Sequence, residues 1–168
     1  MKKMSTSISG HMKRNGQKVL VVTSVSEHEG KSTVSANLAL TLVQQNYKVL
    51  LIDGDLRKDD SRKGKGKGGK ARRNASGSGS DTVTGLHELL TGEAELSQVL
   101  IPYGSGKLDI LPSGSPMSNP TGLISSGKMA DFVAEMRGKY DFVIIDTPPS
   151  AILSDAAIMA RYVEGVVY

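Results

Sequence analysis

The chain has 168 residues, 38% of them hydrophobic and 23% charged, which suits one α/β-sized domain with a modest core. It contains no cysteine and no tryptophan, so disulfide scaffolds, cysteine-ligated zinc, iron–sulfur clusters and cysteine nucleophiles are excluded and the core must be mostly aliphatic. The net charge of +4 would suit a nucleic-acid binder, but seven basic residues and no acid fall within residues 61–80. The remaining 14 basic and 17 acidic residues leave the rest of the chain mildly acidic, and no nucleic-acid partner is expected.

Residues 1–17 are a polar, basic segment with few apolar anchors, followed by one domain over residues 18–168. No apolar run approaches the roughly 20 residues that span a bilayer, and no apolar stretch follows the basic N-terminus as in a secretory signal. A cytoplasmic location is expected.

Val19-Leu20-Val21-Val22 is a short apolar run, as in a strand covered on both faces of a parallel sheet. After a polar loop to Gly30, helical spacing of Val34, Leu38 and Leu42 predicts a helix over 32–45 that stops at Asn46. Val49-Leu50-Leu51-Ile52 predicts a second buried strand, ending at Asp53.

Residues 61–80 hold six Gly, four Ser and only two Ala as apolar residues, too little apolar surface to offset the entropy of ordering. This basic Gly/Ser-rich insertion is expected to be a flexible solvated linker. The sharper alternative is contact with acidic lipid head groups or ATP phosphates.

A short amphipathic helix carrying Leu86, Leu89 and Leu90 follows, then a short segment over 96–101 and a strand over 108–111. Residues 112–120 read as a loop, 121–139 as about a helix and a half, and Phe142-Val143-Ile144-Ile145 as the clearest strand, ending at Asp146. A helix over 155–162 and a strand from Gly165 complete the pattern. The chain stops within Val166-Val167-Tyr168, so the domain is expected to be C-terminally incomplete. Strands alternating with helices predict an α/β fold, a P-loop NTPase-like parallel β-sheet flanked by helices on both faces.

The chemistry is concentrated where strands end. Glu27-His28-Glu29-Gly30-Lys31-Ser32-Thr33 lies between a strand and a helix, the setting of a phosphate-binding loop. There backbone N–H groups and the helix dipole meet an anion, Lys31 can reach the β- and γ-phosphates, and Ser32 can ligate Mg²⁺. Val25 stands where the standard loop has its first glycine. Asp146 has the position of a Walker B carboxylate, and Asp53-Gly54-Asp55-Leu56-Arg57 brings two carboxylates and a guanidinium to the same sheet edge. Neighbouring carboxylates repel, so a divalent cation is the economical reason for them. Strand-end acids beside Gly-Lys-Ser-Thr at the carboxyl edge of a parallel sheet point to Mg²⁺ and a nucleotide.

These residues resemble the motifs of the bacterial tyrosine kinases of capsular and exopolysaccharide export, often called BY-kinases. Thr23-Ser24 through Glu29-Gly30-Lys31-Ser32-Thr33 is similar to the family's deviant Walker A. Leu50 through Lys58 is similar to its Walker A′, and Tyr140 through Pro149, with Asp146-Thr147-Pro148-Pro149, to its Walker B. Leu111-Pro112-Ser113-Gly114, Asn119-Pro120 and Ser154-Asp155-Ala156 resemble segments around them, so the likeness covers roughly 18–58 and 84–168.

The resemblance implies an ATP-dependent, autophosphorylating protein-tyrosine kinase of capsule and exopolysaccharide synthesis. Lys31 would bind and polarise the transferring phosphate, and Ser32, Asp55 and Asp146 would hold Mg²⁺. Asp53 would accept the proton of the attacking tyrosine or, equally, position Lys31 or a metal-bound water. Arg57 would steady developing phosphoryl charge or pair with an acid nearby. A membrane adaptor or polysaccharide co-polymerase, protein tyrosine substrates and a homo-oligomer are the implied partners, with the chain held at the inner face of the membrane.

The sequence departs from the family at several points. Asp59 stands where the family usually turns with proline, and the insertion at 61–80 is foreign to it. The oligomerisation motif is not recognisable in residues 1–17. Tyr47, Tyr103, Tyr140, Tyr162 and Tyr168 are scattered rather than clustered at the end.

Two other functions share these motifs. A regulatory ATPase of the septum-placement or partition type would carry an extra lysine early in the loop, where this chain has Ser26. A non-catalytic nucleotide-binding scaffold would need only the binding residues.

Overall fold

A computed structural model describes Gly10 and residues 16–23, 31–57, 83–148 and 164–167; for Lys31 and for residues 165–167 only the backbone is described. In chain order the elements are β1 (Val19–Val22), α1 (Lys31–Gln44), β2 (Val49–Asp53), α2 (Leu86–Thr91) and α3 (Leu96–Val99). After them come β3 (Ile101–Tyr103), β4 (Leu108–Leu111), α4 (Thr121–Ile124), α5 (Gly127–Lys139), β5 (Phe142–Asp146) and β6 (Gly165–Val167). Most of residues 1–15, the phosphate-loop stretch 24–30, the insertion at 61–80 and the helix expected over 155–162 lie outside the described residues.

The six strands form one sheet in the order β3-β4-β2-β5-β1-β6. Five are parallel, as the alternation of strands and helices predicts. At one edge β3 runs antiparallel to β4, with Tyr103 opposite Leu108. Residues 96–101 therefore divide into the single turn α3 and the start of β3. Only the tight Gly104-Ser105-Gly106-Lys107 turn separates β3 from β4, and so short a connection cannot make the crossover that a parallel pair requires. Likewise the helical pattern over 121–139 divides at Ser125-Ser126 into α4 and α5.

Strand periodicity splits the core between the two faces. Val19, Val21, Leu50, Ile52, Val143 and Ile145 point towards α2, α4 and α5, where Leu86, Leu90, Ile124, Met129, Phe132 and Met136 complete one cluster. Leu20, Val22, Val49, Phe142 and Ile144 point the other way and pack against Leu38, Ala39 and Leu42 of α1. The near-continuous apolar strands are explained by helices on both faces.

Helix α1 ends as its sequence dictates. Asn46 takes a left-handed conformation at φ 72°, Tyr47 N–H donates to Leu42 O at 3.2 Å and Asn46 N–H to Val43 O at 2.9 Å. Those two bonds satisfy the last carbonyls and turn the chain into β2. At the far side Glu164, just before β6, accepts the Val19 N–H at 3.3 Å, accepts the Lys18 N–H, and pairs with Arg137 of α5 at 2.5 Å.

Candidate functional site

The carboxyl ends of the central strands bring the acidic residues together. Asp53 closes β2 and Asp146 closes β5, and the two are directly paired in the parallel register, with Val22 of β1 beyond Asp146. Adjacent strands lie about 4.8 Å apart, so these two residues are immediate neighbours. By strand alternation both belong to the face that α1 covers, since Val49 and Leu51 precede Asp53 on it and Phe142 and Ile144 precede Asp146.

Helix α1 packs across β2 and β5, antiparallel to them, and its 14 residues span about 21 Å. Its N-terminus consequently lies at the edge that holds Asp53 and Asp146. Lys31 opens the helix, and Ser32 and Thr33 are exposed in its first turn. That turn contains no acidic residue, and the positive end of its helix dipole suits an anion.

Local bonds hold the acidic loop in place. Gly54 N–H donates to Asp146 O at 2.7 Å, stitching the end of β2 to the end of β5. Asp53 Oδ1 accepts the Asp55 N–H at 3.1 Å, and Asp55 Oδ1 accepts the Arg57 N–H at 3.3 Å. These are successive aspartate-capped turns, which explains an Asp at every second position. Asp146 is buried at 7% exposure, Asp53 and Asp55 are half-buried, and Arg57 is exposed. Beside them Thr147 N–H and Oγ1 both donate to Val22 O, at 3.0 and 3.2 Å.

Of the residues singled out in the sequence, Asp53, Asp55, Arg57, Asp146, Ser32, Thr33 and the backbone of Lys31 are found at this one edge. Glu27, His28, Glu29 and Gly30 lie outside the described residues. No group of three or more His, Cys, Asp or Glu placed to hold a metal occurs among the described residues. Mg²⁺ rarely needs one: it binds through one or two carboxylates with substrate phosphates and water supplying the remaining oxygens. Two adjoining carboxylates and a hydroxyl are a hard-oxygen donor set that fits that ion.

The sequence reading missed a buried carboxylate that braces the loop after β4. Glu88 is 6% exposed; its Oε2 accepts the Gly85 N–H at 2.7 Å and its Oε1 the Ser115 N–H at 3.0 Å. Burial alone would raise its pKa, but the hydrogen bonds from Ser115 and Gly85 outweigh burial and hold it below the usual glutamate value. Leu86 N–H and His87 N–H donate to Pro112 O and Ser113 O, and Met117 N–H donates to Leu56 O at 2.7 Å. The brace thus reaches the Asp55–Arg57 turn. Its signal is a glutamate three residues into a helix, reaching back to the capping position.

A groove of about 610 Å³ lined by Lys48, Leu96, Asp109 and Tyr140 opens at the opposite, amino edge of the sheet. Tyr140 Oη donates to Asp109 Oδ2 there at 2.7 Å, and Lys48 Nζ sits 4.7 Å from the Tyr140 ring centre. The groove is remote from the strand-end carboxylates and takes no part in their chemistry.

A parallel-dominated sheet with acids at its carboxyl edge and a helix N-terminus facing them defines a P-loop ATPase-type domain, and residues 17–163 match the AAA domain family, to which the chain belongs. Membership implies a nucleotide site served by a divalent metal. Within that class it is similar to bacterial tyrosine-protein kinases. It is 35% identical over 150 residues to the tyrosine-protein kinase CpsD of Streptococcus agalactiae, covering 89% of this chain and 60% of that protein. The crystal structure of the VpsO kinase domain superposes with a TM-score of 0.76 at 35% identity, over 98% of this chain and 76% of that one. The septum site-determining protein MinD of Pyrococcus horikoshii, complexed with Mg-ADP, is less similar, with a TM-score of 0.56 at 25% identity, over 89% of this chain and 56% of that one. The chain spans about three-fifths of the length of the CpsD relative. No helix among the described residues is long and apolar enough to cross a membrane.

Proposed function

We propose that the chain is the catalytic domain of an ATP-dependent protein-tyrosine kinase that regulates capsule or exopolysaccharide synthesis and export. The observation that carries this reading is the in-register pair Asp53 and Asp146 at the edge faced by the N-terminus of α1. An anionic phosphate chain and an oxygen-seeking cation satisfy both features at once. The family relationship to tyrosine-protein kinases then selects tyrosine as the acceptor.

In this reading the N–H groups opening α1 bind the ATP phosphates together with the loop Glu27–Thr33, and Lys31 draws charge from the transferring phosphoryl group. Ser32, Asp55 and Asp146 would hold Mg²⁺, which would supply charge neutralisation of the phosphates. Asp53 takes the phenolic proton of an incoming tyrosine or orients the groups that do, while Arg57 balances charge at the rim. Positioning and electrostatic neutralisation supply most of the catalysis of phosphoryl transfer, which suits a site built from fixed strand ends and a helix dipole. A cytoplasmic position at the inner face of the membrane, reached through a membrane adaptor or polysaccharide co-polymerase, and assembly into a homo-oligomer accompany the proposal.

Incubation with γ-labelled ATP tests it. Label recovered as phosphotyrosine on the chain or on a tyrosine peptide supports the kinase. Label released only as inorganic phosphate supports the regulatory ATPase instead, a reading weakened by Ser26 at the position of that group's extra lysine. Binding of ATP with neither product indicates a scaffold.

A further inference from the structure

The tyrosines within the described fold are in three different situations. Tyr140 is buried, with its hydroxyl committed to Asp109 at 2.7 Å. Tyr47 is half-buried and packs edge-on against Phe142 with ring centres 5.0 Å apart. Tyr103 is 50% exposed, and its hydroxyl has no hydrogen-bond partner among the described residues.

The setting of Tyr103 is also that of a substrate segment rather than of core. It ends β3, the antiparallel strand at the outer edge of the sheet, so one side of its extended backbone is unpaired in the sheet order. The turn after it is tight and protruding, with Gly104 and Gly106 at φ 62° and 78°. From Ile101 to Lys107 the hairpin holds one cation and no acid, which complements the acidic edge formed by Asp53, Asp55 and Asp146.

Topology excludes reaction within one chain. Tyr103 pairs with Leu108, and Leu108 with Val49, at the start of β2. Asp53 is four residues further along β2, about 13 Å at 3.3 Å per residue, and two strand spacings of about 4.8 Å separate β3 from β2. Tyr103 therefore lies at the opposite edge of the sheet from the proposed phosphoryl site, and only a second copy can bring that site to it.

We propose that Tyr103 is a phosphoacceptor, modified in trans by a second copy of this chain; this rests on the kinase reading given above. The phenolic oxygen of Tyr103 forms a bond to the γ-phosphorus of ATP held by the second copy. The bond from that phosphorus to the bridging oxygen breaks, ADP leaves with the bond's electron pair, and the phenolic proton passes to a strand-end carboxylate of the second copy. The product carries a phosphate dianion at an exposed sheet edge, where it changes how that edge meets other chains.

The test pairs two variants of the full chain. Lys31→Met supplies Tyr103 but no transfer, and Tyr103→Phe supplies transfer without that acceptor. They are mixed with ATP and Mg²⁺, and tryptic peptides are sequenced by mass spectrometry. No Lys or Arg lies between Arg73 and Lys107, so one peptide carries Tyr103 as its single tyrosine. That peptide is expected phosphorylated in the mixture and in the unaltered chain, and unmodified in Lys31→Met alone. Phosphate on other tyrosines or on an added tyrosine peptide, with none on Tyr103, overturns the inference and leaves the kinase reading standing. Absence of phosphotyrosine on every chain and on the added peptide removes the kinase reading and the inference with it.

Discussion

Asp53 and Asp146 end neighbouring parallel strands in direct register, and the amide after Asp53 is bonded to the carbonyl of Asp146 at 2.7 Å. Two carboxylates are thereby fixed side by side at the edge where α1 begins. Without a cation beside them their repulsion costs stability; with one held at Asp146, the same placement organises a phosphate chain.

Asp146→Asn separates these two consequences. Removing one charge is expected to lower phosphoryl transfer by about 100-fold or more. It should leave the nucleotide-free protein as stable as before or raise its melting temperature by about 2–4 °C for each 1 kcal/mol of repulsion relieved. Calorimetry of the free protein beside a labelling assay measures both. A variant that melts lower and labels normally contradicts the role given to Asp146.

Glu88 is expected to contribute stability rather than chemistry. Glu88→Gln sets an amide against the Gly85 and Ser115 N–H groups, leaving at least one buried donor facing another donor, at a cost of about 2 kcal/mol. Because hydrogen bonding holds the folded-state pKa below 4.5, the carboxylate's contribution is fully present above that value and is lost as pH falls through the folded pKa. Thermal melts at stepped pH should show a gap between the unaltered chain and Glu88→Gln that is constant near neutrality and closes below about pH 4.5. An equal gap at every pH refutes the assignment.

Gly114→Ala strikes the same brace from the other side. Gly114 has φ 86°, and a Cβ there would collide with Glu88 Oε2. Backbone strain and displacement of the carboxylate together are expected to destabilise by about 2–3 kcal/mol. Urea denaturation measures the loss. In Gly114→Ala/Glu88→Gln the two effects should fall short of additive, since both disrupt one contact.

Tyr140→Phe removes the hydrogen bond to Asp109 and should cost about 1–2 kcal/mol. Burial, then the hydrogen bond to Asp109 and its negative charge, push the Tyr140 pKa well above its ordinary value of 10.0. The protonated phenol is the form favoured by folding, so its contribution is full below pH 10.0 and is lost only as pH rises through the higher folded value. An alkaline absorbance titration of the folded protein should therefore be the same near pH 10.0 in the unaltered chain and in Tyr140→Phe. A smaller absorbance step in the variant would show that Tyr140 ionises normally.

Much of this arrangement was legible because buried parallel strands and the helices between them have distinct periods. Val19–Val22, Val49–Asp53 and Phe142–Asp146 are apolar runs, the last two ending in aspartate, and each is found as a strand. Their side-by-side order, and with it the pairing of Asp53 with Asp146, is a tertiary fact that no local pattern contains. Ile101-Pro102-Tyr103 was obscured for a different reason: three residues with a proline carry little strand signal, and an edge position is what tolerates the proline. Glu88 was hidden because burial of a charge depends on the Gly85 and Ser115 amides, one of which comes from 27 residues further along the chain.

In the proposed reaction Lys31 and the strand-end acids transfer phosphate from ATP to tyrosine. The most direct measurement is phosphotyrosine formed from γ-labelled ATP and Mg²⁺ by the unaltered chain and by Lys31→Met, each first shown to be folded by circular dichroism. Tyrosine labelling that falls to background in Lys31→Met is the predicted result. Labelling that persists undiminished in that variant would contradict it.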